Sequence, residues 1–144
     1  MSRSRLFGLV LGLSIATAPG LSTGQSIDPC EGPLKGVFLL GNLLDISLTS
    51  NELQLLNGRE DPKLKRHLEW RLVSAAAEAR RHIDEGATVE RNMAIPNLAS
   101  GVERATAYIT EHDLDSKPPV PAAKRVANPL ANLKVVEKWL SKQP

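Results

Sequence analysis

The sequence predicts a small all-α protein: a helical bundle of three to five helices with a long central helix, preceded by a signal peptide. Three observations predict this. Helix start and stop residues recur along the chain, with Asp61-Pro62, Asn97 and Asn128-Pro129 as starts and Gly86 as a stop. Between these marks apolar residues return every three or four positions. Beyond residue 24 the aromatic residues are Phe38, Trp70, Tyr108 and Trp139. A core of Leu, Val, Ile and Ala suits helix packing better than a β-sandwich.

The first 24 residues differ from the rest. Arg3 and Arg5 precede an uncharged apolar run of 13 residues, Leu6 to Ala18, closed by Pro19 and Gly20. A basic start followed by a short apolar stretch and small residues is a secretory signal pattern. A membrane-spanning helix needs roughly 20 apolar residues, so an uncleaved anchor is the weaker reading. Ser22 and Gly24 place the cut before Gln25. Removing Arg3 and Arg5 leaves 16 basic residues against 16 acidic ones. A balanced mature chain has no electrostatic pull toward nucleic acid, and neither stacking aromatics among basic residues nor zinc-finger spacing occurs. The segment 25–32 holds the single cysteine, Cys30. "IDP" before it does not fit a lipid-attachment site, and in an oxidising compartment Cys30 would link two chains in a disulfide dimer or stay a free thiol, with an inert cysteine in the N-terminal segment as the plain alternative.

A helical domain is expected over 33–113. From Pro33, "PLKGVFLLGNLLDISLT" reads either as a largely buried helix carrying Leu34, Val37, Phe38 and Leu44 on one side, or as a hairpin turning at Gly41-Asn42. The helix is favoured, because two lone short strands are poorly stable. Thr49 with Glu52 three residues on reads as a capping box opening a second, short helix through Leu53, Leu55 and Leu56, ended by Asn57-Gly58. The long helix follows from Asp61 and Pro62 to Gly86. Leu64, Leu68, Leu72, Ala75, Ala76, Ala79 and Ile83 form its core stripe, leucine first and alanine later, so a neighbouring helix should approach closely near Ala75 to Ala79.

Asn97 is expected to cap a helix reaching Asp113, with Leu98, Val102, Ala105 and Ile109 on one face and Gly101 and Tyr108 beside it. Pro118, Pro119 and Pro121 then make 114–128 an extended connector. The segment 129–144 carries an amphipathic helix. Leu130, Leu133, Val136 and Leu140 form its apolar arc, extended by Trp139, and Lys134, Lys138 and Lys142 form a basic row.

No motif names a reaction. His67 and His82 are 15 residues apart on one helix, roughly 22 Å by the helical rise, so they cannot share a metal ion. Glu78, His82 and Glu85 share a face but read as a solvated one. There is no nucleophile elbow, phosphate-binding loop or H-E-x-x-H. No catalytic, cofactor or metal residue is therefore assigned. The expected function is non-enzymatic: an exported binding, adaptor or inhibitor-like protein acting through helix faces. Trp70, opposite the leucine stripe and one turn from Arg66, is one candidate contact for a protein partner, with packing under the first apolar segment as its competing role. Lys134, Lys138, Trp139 and Lys142 are the others, for a protein partner or a membrane surface. Against docking stands the expectation that the last helix closes the bundle. A membrane-surface protein held by that helix or by its signal is the alternative class, and a small enzyme or metal-binding protein stands third.

Overall fold

The computed structural model of the chain describes residues 31–56, 59, 61–89, 95–119 and 126–143, with the backbone alone at 31, 32, 95 and 96. The described residues form four helices and no strand: α1 (Glu31–Leu55), α2 (Pro62–Asp84), α3 (Ile95–Glu111) and α4 (Pro129–Leu140). The signal segment, Cys30 and the Asn57-Gly58 stop lie outside the described residues.

The region 31–55 settles as helix rather than hairpin, and as one helix rather than two. No proline or glycine interrupts it after Gly41, so nothing stops propagation into Thr49. Thr49 is fully buried and its hydroxyl turns back to Asp45 Oδ1 at 3.5 Å, while Glu52 reaches Arg71 Nη1 on α2 at 3.5 Å. The capping box is thus not a helix start. At 25 residues α1, not α2, is the longest helix.

α2 begins as expected. Asp61 Oδ1 accepts the Leu64 amide at 3.0 Å and Pro62 occupies the first turn. Its end is a Schellman motif: Ala87 N–H donates to His82 O at 2.9 Å, Gly86 N–H to Ile83 O at 3.0 Å, and Gly86 takes φ +80°. α3 starts two residues before Asn97 and closes in the same way, with Leu114 N–H to Ile109 O at 3.1 Å and Asp113 at φ +52°. Leu114 is buried by this turn, so the connector begins as packed structure. Asn128 makes no side-chain cap. Asp115, across the connection, accepts the Leu130 amide at 3.0 Å instead.

α1 and α4 each pack on both α2 and α3, so the order around the bundle is α1, α2, α4, α3. Arg71 ties α2 to Asp45 of α1, and Arg80 ties it to Asn132 of α4 at 3.2 Å. Two glycines let backbones meet. A Cβ at Gly101 of α3 would overlap Ser47 of α1, whose neighbour Ser50 donates to Gly101 O at 3.3 Å. One at Gly36 would overlap the Thr88 carbonyl. The core joins Leu39, Leu43, Ile46 and Leu53 of α1 with Leu68, Leu72, Ala75, Ala76 and Ala79 of α2, Leu98, Val102, Ala105 and Ile109 of α3, and Leu133, Val136 and Leu140 of α4. α4 is therefore a member of the same bundle.

Candidate interaction surface

A helix that is apolar on most sides must bury two faces or leave one bare. α1 does the second. Its inner face fills the core, whereas Leu34, Val37, Phe38, Leu44, Leu48 and Leu55 are 52 to 72 % exposed. This reverses the sequence reading, in which Leu34, Val37, Phe38 and Leu44 mark a buried side. The reason is that Leu39, Leu43, Ile46 and Leu53 form a second apolar arc, interleaved with Thr49 and Ser50, and Gly36 and Ser47 on its flanks allow the closest backbone approach. With two neighbours among the described helices, α2 and α3, α1 cannot cover both arcs.

Near the middle of the bare face lies Gly41, where an added Cβ would meet nothing within 4 Å. The intervening Asn42 is turned back on its own helix, donating to Phe38 O at 3.0 Å. The acids at the edge of the face, Asp45 and Glu52, are both held by Arg71. The face is therefore apolar from Leu34 to Leu44, with its nearest charges neutralised within the chain. At its C-terminal end Leu55 opens into a cleft of about 480 Å³ between the end of α1 and the start of α2, floored by Leu56, Leu64 and Leu68 and rimmed by Arg59, His67 and Arg71. Leu64, expected in the core, is 42 % exposed here, because the first turns of α2 run past the last turn that the bundle covers.

The residues expected to touch a partner are dispersed. Trp70 is 42 % exposed on α2 beside His67, with ring centroids 6.2 Å apart, and does not lie under α1. Lys134 and Lys138 are exposed on α4 and Lys142 is exposed in the turn just past its end, but Trp139 is partly buried against the core and the apolar arc of α4 is spent inside the bundle. These positions do not converge with Trp70.

The buried polar groups are structural in geometry. Tyr108 of α3 reaches across the bundle diagonal to donate to Glu69 Oε1 of α2 at 2.9 Å, and its ring stacks on His112 at 4.0 Å. Burial, the hydrogen bond to Glu69 and the negative charges of Glu69 and Glu111 push the Tyr108 phenol well above its ordinary range. The salt bridges to Glu78 and Glu85 raise the Arg81 guanidinium further, on an open surface. His82, read from sequence as solvated, is only 7 % exposed. It stacks on Phe38 of α1 with centroids 5.8 Å apart, and its Nδ1 lies 3.8 Å from Glu85 Oε2. Among the described residues no three His, Cys, Asp or Glu side chains converge as a metal site, and no described helix is long and apolar enough to cross a membrane.

The signal for the α1 face was present in the sequence as seven-residue spacing: Leu34, Gly41, Leu48 and Leu55 form one row, Val37 and Leu44 the next. What the sequence alone could not decide was which of two apolar arcs the other helices take. Comparison with known proteins adds no analogy to this geometry: no protein-family model, no curated protein and no solved structure matches the chain.

Proposed function

We propose that this protein is an exported, non-enzymatic interaction protein, of adaptor or inhibitor-like type, and that its contact surface is the outer face of α1. The observation that supports this reading is the contiguous row of half-exposed Leu, Val and Phe on α1, where the apolar arcs of α3 and α4 are turned into the core. Patches beyond a few hundred Å² on a folded protein mark interaction sites. Export rests on Arg3, Arg5 and the apolar run from Leu6 to Ala18.

The charge pattern favours a protein partner over a membrane. Interfacial helices carry Lys and Arg beside their apolar face. α1 carries a single basic residue, Lys35 at its start, and none from Gly36 to Leu55, where its acids are Asp45 and Glu52. The lysine row belongs to α4, whose apolar arc would have to leave the core to reach lipid. Cross-linking in producing cells tests the reading. The wild-type chain should be joined to another polypeptide, the double variant Leu44→Lys with Leu48→Lys should not, and both should melt alike below the binding concentration. An unchanged cross-linking pattern would contradict it. Intact mass should show a mature chain beginning at Gln25.

A further inference from the structure

We infer that the occupant of the α1 face is a second copy of this chain, crossing antiparallel on a two-fold axis that passes through Gly41. The inference rests on the proposed use of this face and names its partner.

Three observations carry it. The first is Gly41 itself. Glycine in the interior of a helix weakens it, and among the described residues nothing requires one here, since a Cβ would stand in open space. Gly36 and Gly101, by contrast, sit where another backbone arrives. A second helix crossing at Gly41 gives it the same use.

The second is symmetry. Leu34 and Leu48 lie seven residues either side of Gly41 in its own row, and Val37 and Leu44 lie four and three residues either side of it in the next row. A two-fold antiparallel crossing sets Leu34 against the partner's Leu48 and Val37 against the partner's Leu44, twice over, with Phe38 on the other flank beside the partner's Asp45, a carboxylate held by its own Arg71. Such a surface is self-complementary, as an isologous interface requires. A parallel pair would instead place each residue opposite its own number and bring Asp45 and Glu52 toward their like-charged copies. The antiparallel crossing keeps the two Asp45 carboxylates roughly 12 Å apart along the axis.

The third is area. Leu34, Val37, Phe38, Leu44 and Leu48 are 52 to 63 % exposed, so one crossing at Gly41 covers five large apolar side chains on each copy, against the total, on the order of 1,200 Å², that a specific, stable interface needs.

Sedimentation equilibrium of the whole purified chain tests this. It should show a monomer–dimer equilibrium that persists in reducing agent and in Cys30→Ser. Leu44→Lys should abolish the dimer, and Leu55→Lys, beyond the crossing, should leave it intact. Gly41→Ala should raise the dissociation constant at least about tenfold, because close-packed backbones cannot absorb two added methyl groups. In the Cys30→Ser background a short thiol cross-linker should join a Leu34→Cys chain to a Leu48→Cys chain and leave either alone unjoined. A chain monomeric at about 100 μM, a dimer that depends on Cys30, or one indifferent to Leu44→Lys would overturn the inference. If the monomer nevertheless forms a complex with a different protein that Leu44→Lys removes, the homodimer fails and the proposed function stands. If it forms neither, both fail, and Leu44-dependent binding to vesicles would assign the face to lipid.

Discussion

Tyr108 is the residue in which burial, hydrogen bonding and charge act together most visibly. Its hydroxyl is satisfied by Glu69 across the bundle, so Tyr108→Phe should cost about 1.5–3 kcal/mol in urea unfolding, the range for a bond to a charged acceptor. The same contact sets a pH dependence. The folded-state pKa lies above the ordinary value of 10.0, so the unfolded chain loses the phenol proton first. Stability from this group is therefore fully present below pH 10 and falls as pH rises beyond it. The alkaline decline should be shallower in Tyr108→Phe, which pH-dependent melting will show. Individual residues were unevenly legible. Asp61, Pro62 and Gly86 announce themselves because caps depend on local backbone geometry. His82, Leu64 and the Asp115 cap on Leu130 do not, because each depends on a neighbour brought close only by folding.

At the scale of elements, α1 carries the account. Two of its contacts turn on glycine with opposite sign. Gly101→Ala drives a methyl group into Ser47 of α1 and should destabilise by about 1–3 kcal/mol. Gly41→Ala meets no atom and improves helix propensity, so in dilute, monomeric protein it should stabilise by up to about 1 kcal/mol. Thermal melts of the two variants at low concentration check both. The positions of α2, α3 and α4 were legible because each has one apolar arc, and Leu98, Val102, Ala105 and Ile109 of α3 are all buried as their spacing predicts, although the expected caps Asn97 and Asn128 do not cap: α3 starts at Ile95, and Asp115 accepts the Leu130 amide. α1 was not, because it has two arcs. Leu34, Val37, Phe38 and Leu44 are as apolar as Leu39, Leu43, Ile46 and Leu53, and the local Thr49-to-Glu52 pattern imitates a helix start inside an unbroken helix.

At the scale of the molecule, the four helices of the described residues share one core, and the last of them is needed to close it. Truncation after Val126 removes Leu133, Val136 and Leu140, each worth roughly 1.5–3 kcal/mol when buried. The shortened chain should melt at lower temperature with a broader transition; unchanged melting would place α4 outside the cooperative unit. An all-helical bundle was legible from composition and caps, whereas the ring order α1, α2, α4, α3 was not, since amphipathic helices of similar arc width can be arranged in several ways. The central claim is that α1 has one face that holds the fold and one that is left for a partner. Adjacent residues Leu43, fully buried, and Leu44, 52 % exposed, separate these roles. The direct measurement is the unfolding free energy of Leu43→Ala and Leu44→Ala in urea, at a protein concentration low enough for monomer. The account predicts a loss of about 2–4 kcal/mol for Leu43→Ala and less than about 0.5 kcal/mol for Leu44→Ala. Equal losses, or a larger one at Leu44, would contradict it.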